Sequence, residues 1–157
     1  FDFANKDSGK LLLGNGKTMT FSDMELLIPQ SSNKLVVLSA CKTASIMDTN
    51  EDNIYEGLAS TFQNKGAENV LATLWEVDDL ATSSFMYIFY ALIANNDIKS
   101  MEALKYTKNI FAYGNFDLVK NNLDLGNIEK NAFLKKHISS FQHPYFWSGF
   151  QIYTSKK

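Results

Sequence analysis

The amino-acid sequence predicts an α/β domain with a mostly parallel sheet flanked by helices. Three observations lead there. Leu35–Ala40 and Asn69–Trp75 are short, continuous apolar runs, the pattern of strands covered on both faces. Between them Ile54, Leu58 and Phe62 recur at helical spacing, and after them Phe85, Ile88, Phe89 and Leu92 share one helical face. Strands that alternate with helices in this way pack as layers around a largely parallel sheet.

Each element follows from local chemistry. Leu11–Leu13 and Lys17–Thr20 flank Gly14-Asn15-Gly16 and predict a short hairpin with a glycine-containing loop. Ser22 followed by Glu25 is a capping-box pattern, with Met24, Leu27 and Ile28 as the apolar face before Pro29 ends the helix. Lys42–Asn53 is polar and reads as a loop, and Gly66 sits where the helix from Ile54 would be capped. Asp78 or Asp79 caps a long helix reaching about Asn95, and Ser100 caps another that Gly114 stops at Tyr113. Asn115–Gln142 is rich in Asn and Lys, with a helical insertion expected around Ile128–Ile138. Phe146–Tyr153 reads as the last strand.

Composition narrows the function. A chain of 157 residues, 45% hydrophobic and 20% charged, suits a globular domain able to bury a sizeable core. It has no internal repeat and no Pro/Gly/Ser-rich linker, so no internal domain boundary is expected. A formal net charge of -2 without a basic cluster predicts no direct nucleic-acid binding. No apolar run approaches the roughly 18 residues that span a bilayer, and no signal peptide opens the chain, so no membrane partner is expected. One cysteine forms no internal disulfide, which predicts a reducing, cytoplasmic setting. The start on Phe1, inside a polar segment, predicts a piece of a larger protein.

Several chemical-looking motifs dissolve on inspection. Gly14-Asn15-Gly16-Lys17-Thr18 resembles the end of a phosphate-binding loop, but Leu11 occupies the place of its first glycine, so a hairpin turn is expected. Asp48-x-Asn50-x-Asp52 begins like a calcium loop, yet Asn53 and Ala59 replace the required glycine and bidentate glutamate. No metal or cofactor is expected. His137 and His143 lie far closer to Cys41 than the roughly 130–150 residues of a papain-like layout. His137 is expected at the surface and His143, before Pro144, in a structural role.

Cys41 remains. It follows Leu35-Val36-Val37-Leu38-Ser39-Ala40 at a strand's carboxyl end, where α/β proteins bind ligands, and the small Ser39 and Ala40 leave the thiol uncrowded. Free cysteine is also among the most buried residues, so residue chemistry alone leaves two readings open: a nucleophile and a core filler.

A resemblance bears on the choice. Leu35 to Ala44 (LVVLSACKTA), Tyr55 to Phe62 (YEGLASTF), Lys65-Gly66-Ala67, Asn69 to Asp79 (NVLATLWEVDD) and His143 to Trp147 (HPYFW) are similar, in order, to the CHAT domain. That family comprises caspase-like cysteine peptidases associated with tetratricopeptide repeats and related to separases and caspases. The resemblance runs from about Leu11 to Ile152. It implies a caspase-like three-layer fold of which residues 1–157 form the larger, C-terminal part, with the first strands absent from this chain.

The resemblance further implies that Cys41 is the nucleophile and that its backbone N–H helps form an oxyanion hole. The family's histidine, in a His-Gly pair just upstream of the segment matching Asp7–Leu13, has no counterpart here. A thiol without that base lacks the group that makes its thiolate and protonates the leaving amine, so this chain alone is expected to be inactive. Trp75, Glu76 and Asp78 are the implied substrate-binding residues: Trp75 as an apolar wall, and a carboxylate among Glu76, Asp78 and Asp79 facing a basic side chain. Helix capping competes for these carboxylates, with Asp79 the favoured cap. The implied partners are a protein or peptide substrate and a tetratricopeptide-repeat or regulatory module. The alternative is an inactive caspase-like domain that signals through protein contact.

Overall fold

The computed structural model describes residues 10–12, 16–20, 23, 26–27, 29–30, 34–38 and 58–155. The chain divides into two compact units, one of Phe1–Trp75 with Tyr153–Lys157 and one of Glu76–Ile152. It is a mixed α/β protein.

In the first unit β1 (Lys10–Leu12) and β2 (Thr18–Thr20) pair antiparallel, with Leu11 opposite Met19. Gly16 lies in the turn at φ 77, a conformation that costs glycine little. Of the phosphate-loop lookalike, Thr18 begins β2, and Gly14 and Asn15 lie outside the described residues.

A reciprocal pair of hydrogen bonds joins Thr20 and Asp23. The Thr20 hydroxyl accepts from the Asp23 N–H at 3.1 Å while the Asp23 carboxylate accepts from the Thr20 N–H at 2.8 Å. This is the reciprocal arrangement of a capping box, with aspartate in place of the usual glutamate. Ser22, Met24, Glu25 and Ile28 lie outside the described residues. Leu27, expected on the apolar face, is 67% exposed.

β3 (Leu35–Leu38) runs parallel to β4 (Asn69–Thr73), with Val36 opposite Val70 and Leu38 opposite Ala72. The strand order is β3-β4-β5, where β5 is Phe150–Thr154. As the middle strand, β4 is covered on both faces, and Val70, Leu71 and Ala72 are fully buried. Its expected length was Asn69–Trp75, but Leu74 and Trp75 turn out of the strand.

Between these strands α1 (Leu58–Asn64) packs onto the sheet through Ala59 and Phe62. The part of this helix expected from Ile54 to Gly57 lies outside the described residues. Its end is a Schellman motif: the Ala67 N–H donates to the Phe62 carbonyl at 3.0 Å and the Gly66 N–H to the Gln63 carbonyl at 2.9 Å. Gly66 sits at φ 98, which a side chain would strain, and Ala67 and Phe62 supply the accompanying apolar contact. The expectation for Gly66 holds.

The second unit carries the long helices. α2 (Asp79–Asn96) buries Phe85, Ile88, Phe89 and Leu92 completely, as its sequence period predicts. Asp97, in the left-handed conformation at φ 47, ends it, and α3 (Ser100–Tyr113) begins three residues later and packs against it. Ser100 is the first helical residue rather than the cap. Lys99 holds the cap position in extended backbone without a side-chain bond. Gly114 stops α3 as expected, at φ 65, and a Cβ there would stand 2.9 Å from the Ser139 Cα.

Rings dominate this core. Phe85 stacks on Phe150 with centroids 3.9 Å apart and meets Phe111 at 5.2 Å. Phe111 in turn stacks on Phe141 at 6.0 Å. Residues 115–131 hold no helix or strand but bury Phe116, Val119, Leu125 and Ile128. The Asn96 side chain pairs with the backbone of Asp124 through two hydrogen bonds, at 2.9 and 2.6 Å. α4 (Ala132–His137), capped by Asn131, is the helical insertion, shorter than expected, and Ile138–Phe141 continues it as a 3-10 helix.

The final strand also starts later than the sequence suggests. Pro144–Phe146 forms a 3-10 turn, and β5 begins at Phe150. Pro144 brings a φ suited to a helical first residue. The Trp147 N–H closes the turn on the Pro144 carbonyl at 3.2 Å.

Candidate active-site segment

Parallel pairing sends the exits of β3 and β4 off the same end of one sheet. The run leaving β3 leads to Cys41, and the run leaving β4 leads to Trp75. Cys41, with the oxyanion-hole role of its N–H, lies outside the described residues, as do Asp48–Asp52 of the calcium-loop lookalike. Trp75 is half-buried.

Beyond Trp75 the chain crosses into the second unit as Glu76-Val77-Asp78, and three different interactions hold it there. The Glu76 carbonyl accepts from the Tyr145 hydroxyl at 2.6 Å. The Val77 side chain is buried. Asp78 takes the extended conformation of an N-cap, and its Oδ1 accepts from the Leu80 and Ala81 N–H groups, each at 3.0 Å.

The cap is therefore Asp78, where Asp79 was favoured. Asp79 is instead the first helical residue, placed where a carboxylate complements the positive end of the helix. The reason is geometric: only a residue outside the helical turn can fold its side chain back onto the second and third N–H groups.

Glu76, Val77, Asp78, Asp79 and Tyr145 line an open depression of about 380 Å³. All three carboxylates are exposed, and among the described residues no cation lines the depression. Oδ2 of Asp78 has no hydrogen bond among the described residues, so capping leaves half of that carboxylate for another donor. Among the described residues no group of three or more His, Cys, Asp or Glu is arranged to hold a metal.

The turn that carries Tyr145 is itself fixed. His143 accepts the Tyr145 N–H on Nδ1 at 3.2 Å, the structural role expected of it. With Nδ1 accepting, the neutral ring carries its proton on Nε2. The Trp147 indole donates to the Gln142 carbonyl at 3.0 Å, and Lys108 of α3 donates to the Ser148 carbonyl at 3.2 Å. Burial alone holds the Lys108 ammonium below its ordinary pKa. His137, half-buried, ends α4 with its ring 4.6 Å from that of Phe133.

Tyr145 is the residue that sequence reasoning did not single out. It was visible only inside the His143–Trp147 block, and nothing in its spacing pointed to a backbone carbonyl so far away in the chain.

Comparison with known proteins supplies the lineage. The model of the CHAT domain matches residues 1–155. The chain belongs to the CHAT family. CHAT is a caspase-like peptidase family, and the match spans both compact units. No curated protein and no solved structure gives a match. No helix among the described residues is long and apolar enough to cross a membrane.

Proposed function

We propose that this CHAT domain is part of a cysteine endopeptidase that cleaves protein substrates through Cys41. The observation that supports the reading is the parallel β3–β4 pair, because both strands end at one end of a sheet, where α/β proteins work, and Cys41 follows β3 closely in the sequence. Membership in a peptidase family adds the chemistry, and a caspase-like three-layer fold is the architecture it brings.

The Cys41 thiolate attacks the scissile carbonyl carbon, forming the S–C bond and moving the carbonyl electrons onto oxygen. The Cys41 N–H contributes a donor to that oxyanion. Collapse breaks the C–N bond, the amine departs with a proton from the imidazole, and a thioester remains. Water, deprotonated by the same imidazole, then releases the acid and restores the thiol. That imidazole comes from outside residues 1–157, since His143 Nδ1 is spent on the Tyr145 N–H and His137 stands at the end of α4 beside Phe133.

Trp75 forms an apolar wall of the substrate site. Glu76 and Asp78 supply negative charge for a basic side chain before the scissile bond, and the three exposed carboxylates that line the depression support that preference. A tetratricopeptide-repeat or other regulatory module controls access, and the enzyme works in the cytoplasm.

The test is covalent labelling of the natural full-length protein with a peptidyl acyloxymethyl ketone bearing arginine at its reactive end. Labelling at Cys41, abolished in Cys41→Ala with an unchanged thermal midpoint, is the expected result. A protein that folds yet is not labelled at Cys41 overturns the reading in favour of a signalling domain.

A further inference from the structure

We infer that Tyr145 is a positioning residue whose hydroxyl fixes the Glu76–Asp78 segment as the acidic wall for substrate, an inference that rests on the peptidase reading above. The bond from Tyr145 to the Glu76 carbonyl is short, 2.6 Å, and joins residues that only folding brings together. It is made to the backbone, so the Glu76 carboxylate stays available to a ligand.

The segment needs such an anchor. Glu76 and Val77 lie outside any helix or strand, Asp78 joins the helix through its carbonyl, which accepts the Thr82 N–H at 2.8 Å, and only Val77 among the three side chains is buried. Asp78 holds the downstream end through Leu80 and Ala81. Tyr145 holds the upstream end. Between the two anchors the backbone that carries the Glu76 and Asp78 carboxylates is held at both ends. Two fixed points cut the ordering cost that substrate would otherwise meet on binding.

Tyr145 is equipped for this role. Its backbone is locked by the His143 side chain, and its ring meets Phe146 edge-on at 5.7 Å. The ring also lines the same depression as the carboxylates. Removing the hydroxyl keeps the ring and releases the bond to the Glu76 carbonyl.

The experiment uses Tyr145→Phe in the natural full-length protein, with two readouts. The first is amide exchange of peptides covering residues 76–81, which is expected to quicken about fivefold, the size of one hydrogen bond's net worth. Glu76→Gln, which keeps the carbonyl, should leave that exchange unchanged. The second is labelling by the arginine acyloxymethyl ketone, whose half-saturating concentration should rise about fivefold while the saturating rate stays level.

Unchanged exchange in Tyr145→Phe overturns the anchor. Faster exchange with an unchanged half-saturating concentration overturns its role toward substrate. If the wild-type protein is not labelled at Cys41, the peptidase reading has failed instead, and the exchange readout still decides whether Tyr145 holds the segment.

Discussion

The two compact units build their cores from different side chains. Around β4 one cluster joins Ala59, Ala67 and Val70, with Val36, Leu38, Phe62 and Tyr153 partly buried against it, and Leu71 and Ala72 of the strand are fully buried as well, so no buried ring is among these residues. Residues 76–152 rely instead on stacked rings, with Phe85 between Phe111 and Phe150. Small residues let α1 close onto the strands, and each has few atoms to lose. A buried ring removes about 150–250 Å² from water and is correspondingly costly to delete. Sensitivity to mutation should therefore concentrate in the unit that does not contain the proposed nucleophile.

The largest effect tests that contrast directly. Phe85→Ala should cost about 3–5 kcal/mol, read as a fall in the denaturant midpoint at unchanged slope. Val36→Ala, in a strand whose four residues are all half-buried, should cost about 1 kcal/mol. Equal losses from the two variants would break the contrast.

A smaller effect separates the two roles of Asp78. Asp78→Ala removes the helix cap and should cost about 1 kcal/mol. Asp78→Asn keeps an oxygen for Leu80 and Ala81 and should hold stability, while weakening labelling by an arginine probe relative to an alanine probe. If Asp78→Asn leaves that ratio unchanged, the residue is a cap and nothing more.

The smallest effect concerns Lys108. Its depressed pKa means that the native state sheds this proton before the unfolded chain does. Between the native value and about 10.4 the unfolded chain binds more protons, so stability from this group rises with pH. Below the native value the cost of holding the ammonium in a half-buried site is fully present. Lys108→Met should remove the alkaline rise. At neutral pH it should change stability by less than about 1 kcal/mol, because the lost bond to Ser148 offsets the relief and the site is partly solvated. An unaltered pH profile in Lys108→Met would show that burial there costs the ammonium nothing.

Legibility in the sequence followed the range of the interactions. β3, β4 and the buried face of α2 were readable because continuous apolar runs and helical spacing are local signals. Gly66 and Gly114 marked helix ends because no other residue takes a left-handed turn so cheaply. Capping was harder: Asp79 and Ser100 were each plausible, and the cap positions are held by Asp78 and Lys99. A shift of one residue changes every cap bond while leaving the apolar period intact. The early end of β4 and the late start of β5 depend on turns at Leu74 and Pro144 that alternation alone does not reveal. The anchor from Tyr145 to Glu76 was invisible for a stronger reason. A bond to a main-chain oxygen leaves no trace in the identity of the residue that accepts it.

Residues 115–131 lead to one further consequence. With Phe116, Val119, Leu125 and Ile128 buried and Asp124 gripped by Asn96, this irregular stretch fills space that the helices leave open. Engineers trimming loops from this protein should spare it, and a reporter graft belongs at its solvent-facing Lys120–Asn122 corner.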